Sequence, residues 1–389
     1  MGLLNEAKNI TIGDNVAQKV FCGNTQVWPN IPIEDRRILK FTIVSGDTLN
    51  MTTIKFFNKN KKEIFPILKD TTGWTFGEDV VYVMSSNTQV SGTTNLKTYE
   101  GIAAYYTFAL GFFQNCSNCT FINGKKINLS KLELTSIASM FLYCTSLEEV
   151  DVSEWDTSRC TGMAGVFASC KKLKQIDVSK WNTSNAVHME SMFRTCENLK
   201  TIDVSKWDVS KVETFSYMFA FCSSLTELDL SGWNVSAAVS MDNMFLNCSA
   251  LHSIGNTKWN IINVNDLNSL FQGCSSLTEL DLSGWTTSNT LEKMTYAFSD
   301  CTNLTTLNLA NWNMTGMRYI HYAFKNCTNL QTLNLSKWAL REDVSTLGLF
   351  SNCNNLKQII MLGTDETTQK IIKAALKKEN LNNVQIITD

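Results

Sequence analysis

The sequence predicts an α/β solenoid, a stack of about nine 26-residue units preceded by a small all-β region. Three columns of residues predict it. Cys144, Cys170, Cys196, Cys222, Cys248 and Cys274 are each 26 residues apart; Cys301 follows after 27, then Cys327 and Cys353 after 26. Trp155, Trp181, Trp207, Trp233, Trp259, Trp285, Trp312 and Trp338 keep the same beat, as do nine phenylalanines from Phe141 to Phe350. Eight of the ten tryptophans share one column, so chance is excluded.

One unit reads M-x-x-M-F-x-x-C-x-x-L-x-x-L-D-L-S-x-W-x-x-S. Its first half places apolar residues at i, i+3, i+4 and i+7, as in Met189, Met192, Phe193 and Cys196, which predicts about two turns of helix with one apolar face. Its second half alternates, as in Leu228-Asp229-Leu230-Ser231, which predicts a short strand with its leucines inward. A polar turn and the Trp follow. A single unit cannot bury both faces, but stacked units cover one another. Their strands would form a parallel sheet rising roughly 4.8 Å per unit. The extra residue between Cys274 and Cys301 belongs in a loop near Thr286 to Thr290.

This pattern resembles the 26-residue repeat of BspA-like bacterial surface proteins, over about residues 137–361. The resemblance implies a right-handed leucine-rich-repeat stack and a role in adhesion or host interaction. Phe215 and Leu267 depart from it at the first Met, and Gly255-Asn256-Thr257 replaces D-L-S, which would interrupt the sheet surface locally.

The rest of the chain divides around the repeat. Residues 1–31 read as an anchoring hairpin segment: Lys19-Val20-Phe21-Cys22, a Gly23-Asn24 turn, then Thr25-Gln26-Val27-Trp28-Pro29. The I-x-x-G-x-x-x-x-x-K-V-F-x-G-x-x-x-V-W-P arrangement resembles N-terminal segments of phage tail and fibre proteins. That resemblance implies attachment to other virion proteins, with Val20, Phe21, Val27 and Trp28 as assembly-anchoring residues. Residues 32–110 read as a small β-sandwich-like domain, with strands at 38–44, 53–57 and 80–84. Residues 111–361 are the solenoid with its N-terminal cap, where Phe112, Phe113 and Cys116 form a degenerate first unit. Residues 362–389 read as a C-terminal cap: a helix around Ile371, Ile372, Ala375 and Leu376, then a strand at Val384-Gln385-Ile386-Ile387. A solenoid needs such a cap to cover its open end.

Chemistry is sparse. Nine of the 13 cysteines form one inward column, where a free thiol acts as a small hydrophobe. A reduced ladder fits assembly in a reducing cytoplasm. Cys116 and Cys119 make a lone C-x-x-C without the second pair a zinc site needs, so they read as cap residues, and neither metal nor cofactor is expected. The three histidines, His188, His252 and His321, pair with no nucleophile motif, and Walker A, G-x-S-x-G and H-E-x-x-H are absent. The chain therefore reads as no enzyme.

The outward strand column is the informative one. Asp151, Asp177, Asp203, Asp229 and Asp281 occupy it, continued by Asn308 and Asn334, with Glu149, Glu227 and Glu279 beside it. Two readings stay open. Asp and the next Ser bond into turns that shape the repeat, or the face binds a cation, a basic protein patch or sugar hydroxyls. The Glu and Asp residues named here are the candidate ligand-binding set. The Trp column reads as structural, covering the sheet edge.

The expected function is a phage virion component, of a tail or head fibre, that recognises a host surface protein or glycan through the solenoid. The alternatives are an architectural virion protein and a bacterial cell-surface adhesin. The net charge of −2 argues against an electrostatic nucleic-acid binder. No apolar run is long enough for a membrane span, and the first residues lack a signal-peptide pattern. A homo-oligomer within the assembly is expected.

Overall fold

The computed structural model describes residues 135–389 continuously and, before them, ten short strands together with Phe113, Gln114 and Ser117. The first strands are β1 (Phe21–Cys22) and β2 (Thr25–Gln26), paired antiparallel across Gly23-Asn24 as the turn signal requires. Val20, Val27 and Trp28 lie outside the described residues, as do Phe112, Cys116 and Cys119. Then come β3 (Arg37–Ile43), β4 (Ile54–Phe57), β5 (Glu63–Ile64), β6 (Leu68–Lys69), β7 (Gly73–Phe76), β8 (Tyr82–Ser85), β9 (Leu96–Glu100) and β10 (Phe121–Asn123). Strands β3, β4 and β8 answer to the three expected runs.

Two sheets result. One has the order β5-β4-β8, all antiparallel. The other has the order β11-β10-β9-β3-β7-β6, where β11 is Glu149–Val150 in the first full repeat. Its pairing changes from antiparallel at β3–β9 to parallel at β9–β10 and β10–β11. The β-rich region and the repeats thus share one sheet, which crosses the boundary expected at 110/111.

From residue 135 the chain advances by repeats. Parallel bridges join Ser136, Gly162, His188, Thr214, Ser240, Asp266, Lys293, Tyr319 and Ser345 in sequence, each 26 or 27 residues apart. The step of 27 falls between Asp266 and Lys293, while Asn260 and Thr286 are still 26 apart, so the extra residue sits after Thr286 as expected. The last strands, β12 (Glu279–Asp281), β13 (Thr306–Asn308), β14 (Thr332–Asn334), β15 (Gln358–Ile360) and β16 (Gln385–Ile387), form a parallel five-stranded sheet in chain order.

The expected helix in each unit is not there. In its place runs a ribbon of consecutive turns. Met140 N–H donates to Ile137 O at 3.2 Å, Leu142 to Ser139 at 3.1 Å and Cys144 to Phe141 at 3.0 Å. The amides between them reach the next unit instead: Ser139 to Ala164 O, Phe141 to Val166 O and Tyr143 to Ala168 O, all at 2.8 Å. An α-helix keeps its hydrogen bonds to itself. Here a left-handed residue every fourth position, such as Ser139 (φ 58°) and Tyr143 (φ 62°), breaks the helix and turns alternate peptides toward the neighbouring unit. Such a conformation costs roughly 1–2 kcal/mol for a residue other than glycine, offset by the bonds between units. The apolar spacing of three then four is real, but successive turns satisfy it as well as a helix does: Ile137, Met140, Phe141 and Cys144 are all buried.

Inside, side chains stack on their equivalents. A ladder of phenylalanine rings runs from Phe113 to Phe350, with centroids 5.1–6.0 Å apart and nearly parallel planes. Phe113 is thus the first rung of the stack. Each column cysteine donates its thiol to the carbonyl of the Phe one unit back, as Cys222 does to Phe193 O at 3.1 Å. Burial pushes the Cys222 and Cys301 thiols up to about 12, so the ladder is unreactive while folded. The column tryptophans are buried too, and indole N–H groups among them cap backbone carbonyls, Trp207 to Val178 O at 3.1 Å for example, while Trp285 uses a side-chain hydroxyl. Phe215 fits by stacking on Trp233 at 5.5 Å, and Leu267 is buried.

The C-terminal cap is close to expectation. Helix α1 (Glu366–Lys378) starts at Asp365, whose carboxylate accepts from Thr368 N–H at 2.6 Å. It buries Ile372, Ala375 and Leu376, and β16 closes the sheet after it.

Candidate binding groove

The groove is built from five consecutive strand columns. Glu149, Asp151, Ser153, Gln175, Asp177, Thr201, Asp203, Ser205, Glu227, Asp229, Ser253 and Gly255 line it, over a floor that includes Ile176, Ile202 and Leu228; its volume is about 1080 Å³. Six of the eight candidate residues come together here. Glu279 and Asp281 do not; they lie on β12, in the regular sheet beyond.

Each aspartate has a defined local job. Asp177 Oδ1 accepts from Ser179 N–H at 3.1 Å and from Ser179 Oγ–H at 2.7 Å. Asp203 repeats this with Ser205 at 3.1 and 2.7 Å, and Asp229 with Ser231 at 3.1 and 2.6 Å. The turn reading of the column is therefore correct at the level of local structure. It consumes one carboxylate oxygen; Oδ2 of Asp177, Asp203 and Asp229 has no hydrogen-bond partner within the described residues. The serine hydroxyl and amide hold all three carboxyls below their usual range. For Asp177 and Asp203 the carboxylate one unit back pushes the other way, and more weakly. The column is thus ionised at neutral pH, with like charges stacked one unit apart.

The backbone beneath it is unusual. Among the described residues no backbone hydrogen bond joins 175–178 to 201–204, or 201–204 to 227–230. In the later units the equivalent amides are all satisfied: Leu282 N–H donates to Asn308 O at 2.9 Å, Leu309 to Asn334 O at 2.9 Å and Leu335 to Ile360 O at 2.7 Å. The floor residues Ile176, Ile202 and Leu228 are buried, like Leu280 and Leu307 in the paired sheet. Two sequence differences accompany the change. The open columns at 177 and 203 carry Asp and then Val, where the last columns carry Asn308 and Asn334 and then Leu; the paired column at 281 carries Asp and then Leu.

The groove ends at the departure in Gly255-Asn256-Thr257. Gly255 has φ +77°, and a Cβ there would come within 3.0 Å of Asp229 Oδ1. Leu230 N–H reaches back to Ile254 O at 3.2 Å, and Thr257 turns inward to accept from Trp285 Nε1–H at 2.8 Å. The expected interruption is there, and it forms the wall of the groove. The sequence marks the interruption but not its place at the end of a groove.

A second hollow of about 390 Å³ lies on the turn ribbon, among Tyr143, Gly165, Glu190 and Arg194. His188 and His252 are exposed, and His321 meets the edge of Tyr319 at 5.7 Å. Among the described residues no three His, Cys, Asp or Glu side chains gather as metal ligands.

A repeated unit, a parallel strand column and a continuous apolar ladder define a leucine-rich-repeat protein of solenoid type. The chain belongs to the family described as "Mycoplasma protein of unknown function, DUF285", whose model matches residues 135–257 and again 250–362. No curated protein matches it. Among solved structures it is similar to a chain of the "TLR13-ssRNA13 complex", 17% identical with a TM-score of 0.32, over 74% of this chain and 42% of that one. The chain thus spans less than half the length of that structure's chain.

Proposed function

We propose that this protein is a non-enzymatic recognition protein that captures a basic, extended segment of a partner protein in the acidic groove. The observation that carries this reading is the groove itself. It is the one stretch of the described strand face where exposed carboxylates stand over strands, at 175–178, 201–204 and 227–230, whose backbone groups are not bonded to one another; a bridge forms only at its far end, between Glu227 and Ser253. An extended partner segment has both complements, cationic side chains for the carboxylates and peptide groups for the strands.

In this reading the molecule is a stack of about nine right-handed units that presents the groove to a host surface protein. The segment containing Val20, Phe21, Val27 and Trp28 attaches it to other proteins of a phage tail or head fibre, in line with its resemblance to such segments. A second reading, a bacterial cell-surface adhesin, is favoured by the resemblance to BspA-like repeats. Both use the same groove and differ in what holds the N-terminus.

The test is binding of the full chain to intact candidate host cells, with Asp177→Lys, Asp203→Lys as the paired variant. Binding that the variant abolishes supports recognition through the groove. Equal binding by both proteins would contradict it.

A further inference from the structure

The groove is acidic, and the same chain carries its complement at the other end. Residues 135–310 hold 19 acidic and 11 basic side chains, whereas 311–389 hold 9 basic and 6 acidic ones. The basic excess is concentrated on the cap helix α1. Its inner face, Ile372, Ala375 and Leu376, is buried against the last repeat, while Lys370, Lys373, Lys377 and Lys378 are exposed. Lys370 is held by Glu366 at 2.7 Å; Lys373, Lys377 and Lys378 have no ion pair among the described residues.

The dimensions agree. A 13-residue helix is about 20 Å long. Five strand columns span about 22 Å, at the 5.2–6.0 Å steps of the Phe rings beneath them. Lys370, Lys373 and Lys377 follow one helix face in steps averaging about 5 Å. The carboxylates of Asp151, Asp177, Asp203 and Asp229 climb the groove in steps of about the same size.

We propose that the groove accepts the lysine face of α1 from a second copy of this chain, so that copies associate head to tail. This rests on the reading of the groove as a site for a basic partner and names a helical one, whose lysines meet the carboxylates while its peptide groups stay bonded within the helix. The interface is heterologous: the groove of one copy meets the helix of the next. Every copy but the terminal one has its groove covered, and the terminal copy keeps it free for a foreign segment. The contact is electrostatic and exposed, so it is weak and sensitive to salt.

Sedimentation equilibrium of the full chain tests this, using two charge-reversal variants. One reverses the helix, Lys373→Glu with Lys377→Glu; the other reverses the groove, Asp177→Lys with Asp203→Lys. The wild-type average mass is expected to rise with concentration at 50 mM salt and to fall back to monomer at 500 mM. Each variant alone should associate at least about tenfold more weakly, the size expected for reversing two exposed pairs. Mixing the two variants restores both complementary contacts, and association should return; recovery in the mixture also shows that both variants fold. A wild-type chain that stays monomeric at low salt would overturn the proposal. So would association that survives the groove reversal, since the lysine face would then dock elsewhere. If the chain is monomeric yet still binds cells through the groove, self-docking falls while recognition of a foreign partner stands.

Discussion

The units around Asp177 and Asp203 and the units around Asn308 and Asn334 share one interior and differ on one face. In both, the Phe rings stack, the thiols bond to the carbonyl one unit back, and the indoles cap a backbone oxygen. The strand columns differ. Where the outward residue is Asn, β13 and β14 pair in register from Thr306↔Thr332 to Asn308↔Asn334. Around Asp177 and Asp203 the equivalent backbones are not bonded to each other. The interior thus fixes the stack, while the sheet above it is open where aspartate stacks on aspartate and closed where Asp281 meets Asn308. Stacked carboxylates about 5 Å apart repel by roughly 1 kcal/mol or less in solvent. That is comparable to the net worth of one ladder hydrogen bond, but Lys180 beside Asp177 and Lys206 beside Asp203 outweigh the neighbouring carboxylate, so repulsion along the column does not by itself open the sheet.

The largest expected effect tests the shared interior. Phe193→Ala and Phe324→Ala each remove a ring stacked on both sides, and each should destabilise the fold by about 3–5 kcal/mol. Urea unfolding of the two variants should give losses within about 1 kcal/mol of each other. A much smaller loss at Phe193 would mean that the acidic half is loose throughout, and the comparison would fail. Next is the wall of the groove. Gly255→Asp restores the repeat pattern, but it places a side chain at φ +77° and within 3.0 Å of Asp229 Oδ1. A loss of about 1–3 kcal/mol is expected in the same measurement; a gain would show that the departure is mere decay.

The acid response sharpens the electrostatic side. Asp177, Asp203 and Asp229 have folded pKa values below their unfolded ones. The stability they contribute is fully present above the unfolded value near 4, and is lost as pH falls through the still lower folded values. Thermal melts from pH 7 to pH 2 should therefore show this contribution intact at pH 5 and declining only beneath about pH 4. The smallest effect belongs to Asp177→Asn with Asp203→Asn. Asn keeps the turn, as Asn334 does with Ser336 at 3.0 and 2.7 Å. Global stability should change by less than about 1 kcal/mol, while amide protection at Val178 and Val204 rises toward that of Leu309.

Much of this was legible in the sequence, and the misses have physical reasons. The period, the inward ladders and the C-terminal cap follow from which residues recur, because stacked equivalents must touch. The helix in each unit was misread because apolar spacing of three and four is shared by a helix and by linked four-residue turns. Only residues at positive φ, such as Ser139 and Asn243, separate the two, and Ser or Asn in a polar repeat is a faint signal. The acidic column was legible as a candidate, but its confinement to 149–229 was not. The aspartate pattern returns at Asp281, where the strand is paired, so an outward aspartate alone does not mark the open stretch.

Hydrogen exchange at equivalent amides of the intact chain tests the central claim, that the acidic half carries an open strand face over a closed core. Val178 and Val204 should exchange at least about a hundredfold faster than Leu309 and Leu335, the difference expected for an amide lacking its ladder bond. The amides of Phe193 and Phe324, in the ladder common to both halves, should be equally protected. Equal protection of Val178, Val204, Leu309 and Leu335 would contradict the claim, for the sheet would then be closed along its length.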